Sequence, residues 1–181
     1  MRLNNEQYEQ IKQTVIDTYL EYNVKCIPIS AFELAIKMGI KLITYSSLSE
    51  EKKSAARKIS TDGYSVEMQD GIWKIYYNDE GNTYERINMT IMHEIGHYAL
   101  GHTEEGKEEE MEANFFAKYA LAPPPLVNNL SVITVSSIRE AFNLSWQAAT
   151  YAYRYYKNWL YYGKNRHADY EVKLLELFEF A

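Results

Sequence analysis

Two histidines four residues apart, His93 and His97, with Glu94 directly after the first, are the side chains of this sequence best suited to chemistry. On an α-helix, positions i and i+4 share a face, so both imidazoles can aim a ring nitrogen at one metal ion. Glu94 is offset by one position and leans toward the same cavity. It suits a general base that takes a proton from metal-activated water. Two neutral imidazoles alone hold zinc weakly, so a third donor is expected farther along the chain.

An acidic run, Glu104 to Glu112, follows the histidines. Most of its glutamates read as the solvated start of a helix, where negative charge suits the helix dipole. Glu112 differs because it stands at the junction with the apolar stretch Ala113 to Tyr119, and it is the expected third ligand. Glu109 is the alternative, one helical turn earlier. Two imidazoles and one carboxylate leave a fourth position for water, the open geometry of a catalytic zinc site. Manganese or iron enters similar donors, but this set favours one zinc ion.

His102 is the rival ligand. A metzincin places Gly three and His six residues after its second histidine. Here Gly101 and His102 lie four and five residues after His97, so His102 reads as a supporting residue or a helix terminator. His102 and Tyr98 are candidate donors to a developing oxyanion. Asn114 is a candidate to orient the imidazoles through their other ring nitrogens.

The elements that must position these groups are legible from periodicity. From Thr83 to Leu100, apolar residues recur at Tyr84, Ile87, Ile91, Ile95 and Tyr98, the spacing of an amphipathic helix, with Asn82 or Thr83 as its cap. A first helix is predicted over Asn5 to Tyr22, and Ser30 to Glu33 reads as a capping box opening a second that ends at Gly39. Ile40 to Tyr45 reads as a strand and Leu48 to Ile59 as a charged helix. Tyr64 to Met68 and Ile72 to Tyr77 form a predicted hairpin around Asp70-Gly71. Pro123-Pro124-Pro125 reads as a hard stop to the helix that carries Glu112.

Beyond the prolines, Val135 to Phe142 and Ser145 to Tyr162 read as two helices joined at Asn143-Leu144, a helix-turn-helix pair. Residues 131–168 carry 5 Lys/Arg and 1 Asp/Glu, in a chain of net charge −6. Arg154, Lys157, Lys164 and Arg166 supply this local basic patch. Packing is its first expected role, docking of a substrate or partner the second, and DNA binding the third.

The fold class expected is α+β: a small zincin-like domain over residues 1–125, with a short three-stranded sheet packed on helices, and a C-terminal helical module over 126–181 packed against it. The hairpin over residues 64–77 is a candidate to pair with extended substrate, with scaffolding of the core as the equal alternative.

Three stretches together, His93 to His102, Glu112 to Ala117 and Leu121-Ala122-Pro123, resemble the ImmA/IrrE family of small metallopeptidases. The family's HExxH maps to His93, Glu94 and His97, its Gly-His to Gly101-His102, and its Glu-Ala-Asn-x-Phe-Ala to Glu112-Ala113-Asn114-Phe115-Phe116-Ala117. Ala122 departs from the pattern, where members often carry Met. The resemblance implies metal ligands at His93, His97 and Glu112, a catalytic Glu94, and a site-specific endopeptidase of a phage-like or integrative element. Its implied partner is a helix-turn-helix repressor. A regulator that binds protein or DNA without cutting, and the toxin of a toxin–antitoxin pair, are the alternative functions.

Composition agrees with a globular domain: 46% hydrophobic and 24% charged residues. The acidic net charge argues against wholesale nucleic-acid binding. No apolar run approaches the ~20 residues needed to span a bilayer. A single cysteine, Cys26, excludes an internal disulfide framework and fits a reducing cytoplasm, where it reads as a small packed side chain.

Overall fold

The computed structural model describes residues 3–103, 106–163 and 167–179. Its centre is a pair of helices, α4 (Tyr84–Leu100) and α5 (Lys107–Leu121), packed along each other. Around them lie α1 (Asn5–Glu21), α2 (Ala31–Lys37), β1 (Lys41–Thr44), α3 (Glu50–Ile59), β2 (Gly63–Glu67) and β3 (Trp73–Tyr77). The chain closes with α6 (Pro124–Asn128), α7 (Val135–Phe142), α8 (Trp146–Tyr162) and α9 (Asp169–Leu177). This is the expected α+β class.

Local chemistry places the boundaries. Side-chain oxygens of Asn4, Ser30, Ser49, Thr83, Thr134 and Ser145 each accept from a backbone N–H in the first turn of the helix that follows. Such caps satisfy donors that have no partner inside the helix. Gly101 ends α4 at φ 70°, a left-handed conformation that glycine adopts without penalty, and turns the chain so that His102 folds back beside His97.

The sheet has the order β1-β3-β2, with β1 parallel and β2 antiparallel to β3. Met68 N–H donates to Ile72 O to extend the hairpin, and Gly71 sits at φ 75° in its turn. β2 is thus an edge strand, and it lies directly on α4. A Cβ added to Gly63 would stand 2.7 Å from Thr90 Cγ2 and 2.8 Å from Tyr76 O, so only glycine permits this approach.

Gly96 plays the same part between the two central helices. A Cβ there would lie 3.1–3.2 Å from three side-chain carbons of the fully buried Phe116. The missing side chain lets α5 come close enough for its polar edge to reach the α4 histidines. A buried amide clamps the other side of α4: Asn88 Oδ1 accepts from Ala31 N at 2.8 Å, and its Nδ2 donates to Ile29 O at 3.0 Å.

One apolar cluster runs from Leu3 through Phe116, Leu126 and Phe142 to Phe178, so the C-terminal helices share the core of the rest. Helix α9, which periodicity did not predict, packs on α1. Glu171 holds its start, accepting from Ala168 N at 3.0 Å and from Trp159 Nε1 at 2.7 Å. The three prolines end α5 as expected, but Pro124 and Pro125 also open α6, the helix position where a missing N–H costs nothing. Tyr156 is buried, while Tyr161 and Tyr162 are exposed. Cys26 is exposed rather than packed. Lys164 and Arg166 of the basic patch lie outside the described residues. No described helix is long and apolar enough to cross a membrane.

Candidate metal centre

His93 and His97 extend from the same face of α4 and point their Nε2 atoms at a common point, 3.1 Å apart. The carboxylate that meets them belongs to Glu110 of α5. Its Oε2 lies 3.4 Å from His93 Nε2 and its Oε1 3.3 Å from His97 Nε2. These three residues are the one group of His, Cys, Asp or Glu side chains, among the described residues, whose donor atoms converge closely enough to hold a metal ion. Ligand atoms ~2.0–2.1 Å from a tetrahedral zinc stand ~3.3 Å from one another. The two imidazole nitrogens, and the nearer Glu110 oxygen to each, stand close to that spacing, so the donor set fits zinc in number and type.

Glu112, the ligand expected from sequence, occupies a different place. Its Oε2 accepts from His102 Nε2 at 3.0 Å, and its Oε1 accepts from Gln7 Nε2 of α1 at 3.0 Å. The reason is helical geometry. Residues two apart on a helix project about 200° apart, so one faces α4 when the other faces away. Glu110 thus reaches His93 and His97, while Glu112 reaches His102 and Gln7 of α1. Glu109, the alternative ligand, instead packs its carboxylate over the Gly106 backbone.

Glu112 still bears on the centre, through His102. His102 Nδ1 lies 2.9 Å from His97 Nδ1. If His97 presents a bare Nε2 to a metal, its proton sits on Nδ1 and is donated to His102 Nδ1. His102 then carries its proton on Nε2 and donates it to Glu112. The chain Glu112–His102–His97 thereby selects the tautomer that leaves the metal-facing nitrogen free. His102 is almost fully buried, which keeps this chain away from water.

Burial lowers the His93 pKa to about 4, helped by the positive fields of His97, His102 and Lys118. Desolvation disfavours the charged ring, so His93 is neutral near pH 7, the form a metal requires.

Glu94 is buried, and Ser65 Oγ of β2 donates to its Oε2 at 2.7 Å. The carboxylate is thus anchored by the edge strand and lines the same cleft as the three donors. Asn114 does not orient the imidazoles: its Nδ2 donates to Glu110 O, one turn back in its own helix, at 2.8 Å. Tyr98 packs edge-on against Trp73 at 5.2 Å between centroids.

A cleft of about 1810 Å³ opens over this centre. Its floor is His93, Glu94, His97 and Glu110; β2 forms one wall, and the first turns of α8, from Trp146 to Arg154, form the other. Sequence reasoning missed Ser65, Gln7 and Glu110. Only Glu110 left a signal, standing one turn before Asn114 on the face that the interhelix contact must use.

A family model described as the IrrE N-terminal-like domain, Peptidase_M78, matches residues 37–154. No curated protein matches the chain.

Proposed function

The chain belongs to the Peptidase_M78 family of metallopeptidases, and from that premise we propose that it is a zinc-dependent endopeptidase that cuts an extended segment of a helix-turn-helix repressor. The observation that carries this reading is the convergence of His93, His97 and Glu110 beside a buried, hydrogen-bonded Glu94. A structural metal site would close its coordination with a fourth protein ligand and would need no adjacent base. Here three donors converge beneath an open cleft, and a carboxylate stands next to them.

A zinc ion held by these three residues would acidify a water molecule and polarise the peptide carbonyl. Glu94 then accepts the proton of the attacking water and delivers it to the departing amine. Ser65 holds the Glu94 carboxylate in one orientation through that exchange. The Glu112–His102 pair keeps His97 in its working tautomer. Substrate main chain adds to the outer edge of β2, which places a scissile bond over the centre. Cytoplasmic operation follows from the repressor substrate.

The repressor as substrate rests on the resemblance to ImmA/IrrE peptidases, in which protease and repressor work as a pair. The DNA-binding alternative is disfavoured by the direction of α8. Its first turns, where such a helix would meet bases, face the cleft instead. Co-expression with a helix-turn-helix repressor, expected among the neighbouring genes, tests the proposal, comparing wild type with Glu94→Gln by mass spectrometry. One new pair of repressor termini is expected with wild type and none with the variant. An intact repressor in the presence of zinc-loaded wild type, or equal cutting by the variant, contradicts it.

A further inference from the structure

Helix α5 presents Glu110, Asn114 and Lys118 at successive i, i+4 positions, all lining the cleft. The first belongs to the donor triad. The last lies two turns away, ~12 Å along the helix. Lys118 Nζ stands 4.9 Å from the ring centroid of Tyr151 on α8, which stacks on Tyr155. The ammonium is therefore held at the wall rather than free in solvent. Arg154, one turn beyond Thr150 on the same helix, lines the same wall.

Neither cation has a carboxylate partner among the described residues. Arg86, at the other end of the cleft, does have one: Asp62 accepts from its Nε at 2.9 Å and its Nη2 at 3.0 Å. Two cations left without counter-charge on one wall of a substrate cleft are complementary to an anion that arrives with the substrate.

We propose that Lys118 and Arg154 form a subsite for a carboxylate of the bound peptide, carried by an Asp or Glu side chain or by a free C-terminus. The proposal rests on the peptidase reading and deepens it, because the subsite sets which bond lies over Glu94. An extended peptide advances ~3.3 Å per residue, so a carboxylate held at this wall belongs to a residue within a few positions of the scissile bond. The acidic residue is thus expected at a fixed, short distance from the cut. The pair then fixes the register of the bound peptide.

The test uses zinc-loaded Glu94→Gln protein, which binds without cutting, and a random synthetic peptide library made with free and with amidated C-termini. Retained peptides are sequenced. Asp and Glu are expected to be enriched about three- to fivefold at one position, the discrimination typical of a solvent-accessible ion pair. Adding Lys118→Glu, or separately Arg154→Glu, should abolish this enrichment or replace it with Lys and Arg. Enrichment of acidic residues only at a free C-terminus assigns the carboxylate to the chain end. Retention of Asp and Glu no more often than Asn and Gln, or enrichment unchanged by both reversals, overturns the subsite. Retained peptides are then offered to zinc-loaded protein with Glu94 intact. Failure to cut them counts against the peptidase reading and leaves the subsite standing.

Discussion

Glu112 and His102 meet between α4 and α5, with Nε2 donating to Oε2 at 3.0 Å, and the other nitrogen of the same ring contacts His97. The carboxylate of Glu112 thus contacts His102, while the carboxylate nearest His93 and His97 is that of Glu110. Losing a second partner of this kind weakens metal binding ~10–100-fold. His102→Ala and Glu112→Gln should each show a loss of that size in zinc competition against a chromophoric chelator. Glu110→Gln, which removes a donor itself, should lose more than either.

Ser65 fixes one oxygen of Glu94. A hydrogen bond to a charged group contributes ~1.5–3 kcal/mol, so Ser65→Ala should lower kcat roughly tenfold or more. Zinc content, measured by atomic emission, should not change. A fall in bound zinc would mean that Ser65 supports the donors rather than the base.

Much of this arrangement was legible in the sequence because it is local. Helix periodicity, the caps at Ser30, Thr83 and Ser145 and the Asp70-Gly71 hairpin depend on residues close in the chain, and the α4 face follows from the i, i+4 rule. The choice between Glu110 and Glu112 was not local. Both precede the apolar stretch of α5, and only the packing of α5 against α4 brings Glu110 to His93 and His97. Gln7 was invisible for the same reason, since it reaches Glu112 from 105 residues away. Helix α9 escaped notice because its start is held by Glu171 and Trp159, a contact between helices.

Gly96 sits against Phe116, whose Cβ and ring cannot retreat from a filled core. Alanine favours a helix by up to ~1 kcal/mol over glycine, but overpacking costs ~1–3 kcal/mol. Gly96→Ala should therefore lower stability in urea and also weaken zinc binding, because α5 carries Glu110. Unchanged zinc affinity with lowered stability would separate the packing from the metal centre.

His93 titrates near pH 4 when folded, against about 6.5 when unfolded. Between those values the unfolded chain binds more protons, so stability falls as pH drops through this window and is complete above it. Metal-free protein should lose stability from pH 6.5 toward 4, and His93→Gln should lose less over the same range. Thermal unfolding in the presence of a chelator measures both slopes. Parallel slopes would remove His93 as a contributor.

Tyr119 buries its hydroxyl without a hydrogen-bond partner among the described residues. An unsatisfied buried hydroxyl carries a desolvation penalty of ~1–3 kcal/mol. Tyr119→Phe should therefore be neutral or stabilising in urea, unlike most core substitutions.

Anomalous diffraction at the zinc edge, from crystals of the zinc-loaded protein, locates the metal and its donors directly. One zinc peak is expected within ~2.2 Å of His93 Nε2, His97 Nε2 and a Glu110 oxygen, with the fourth position facing the cleft. A peak coordinated by Glu112 or His102 in place of Glu110, or no peak between the histidines, contradicts it.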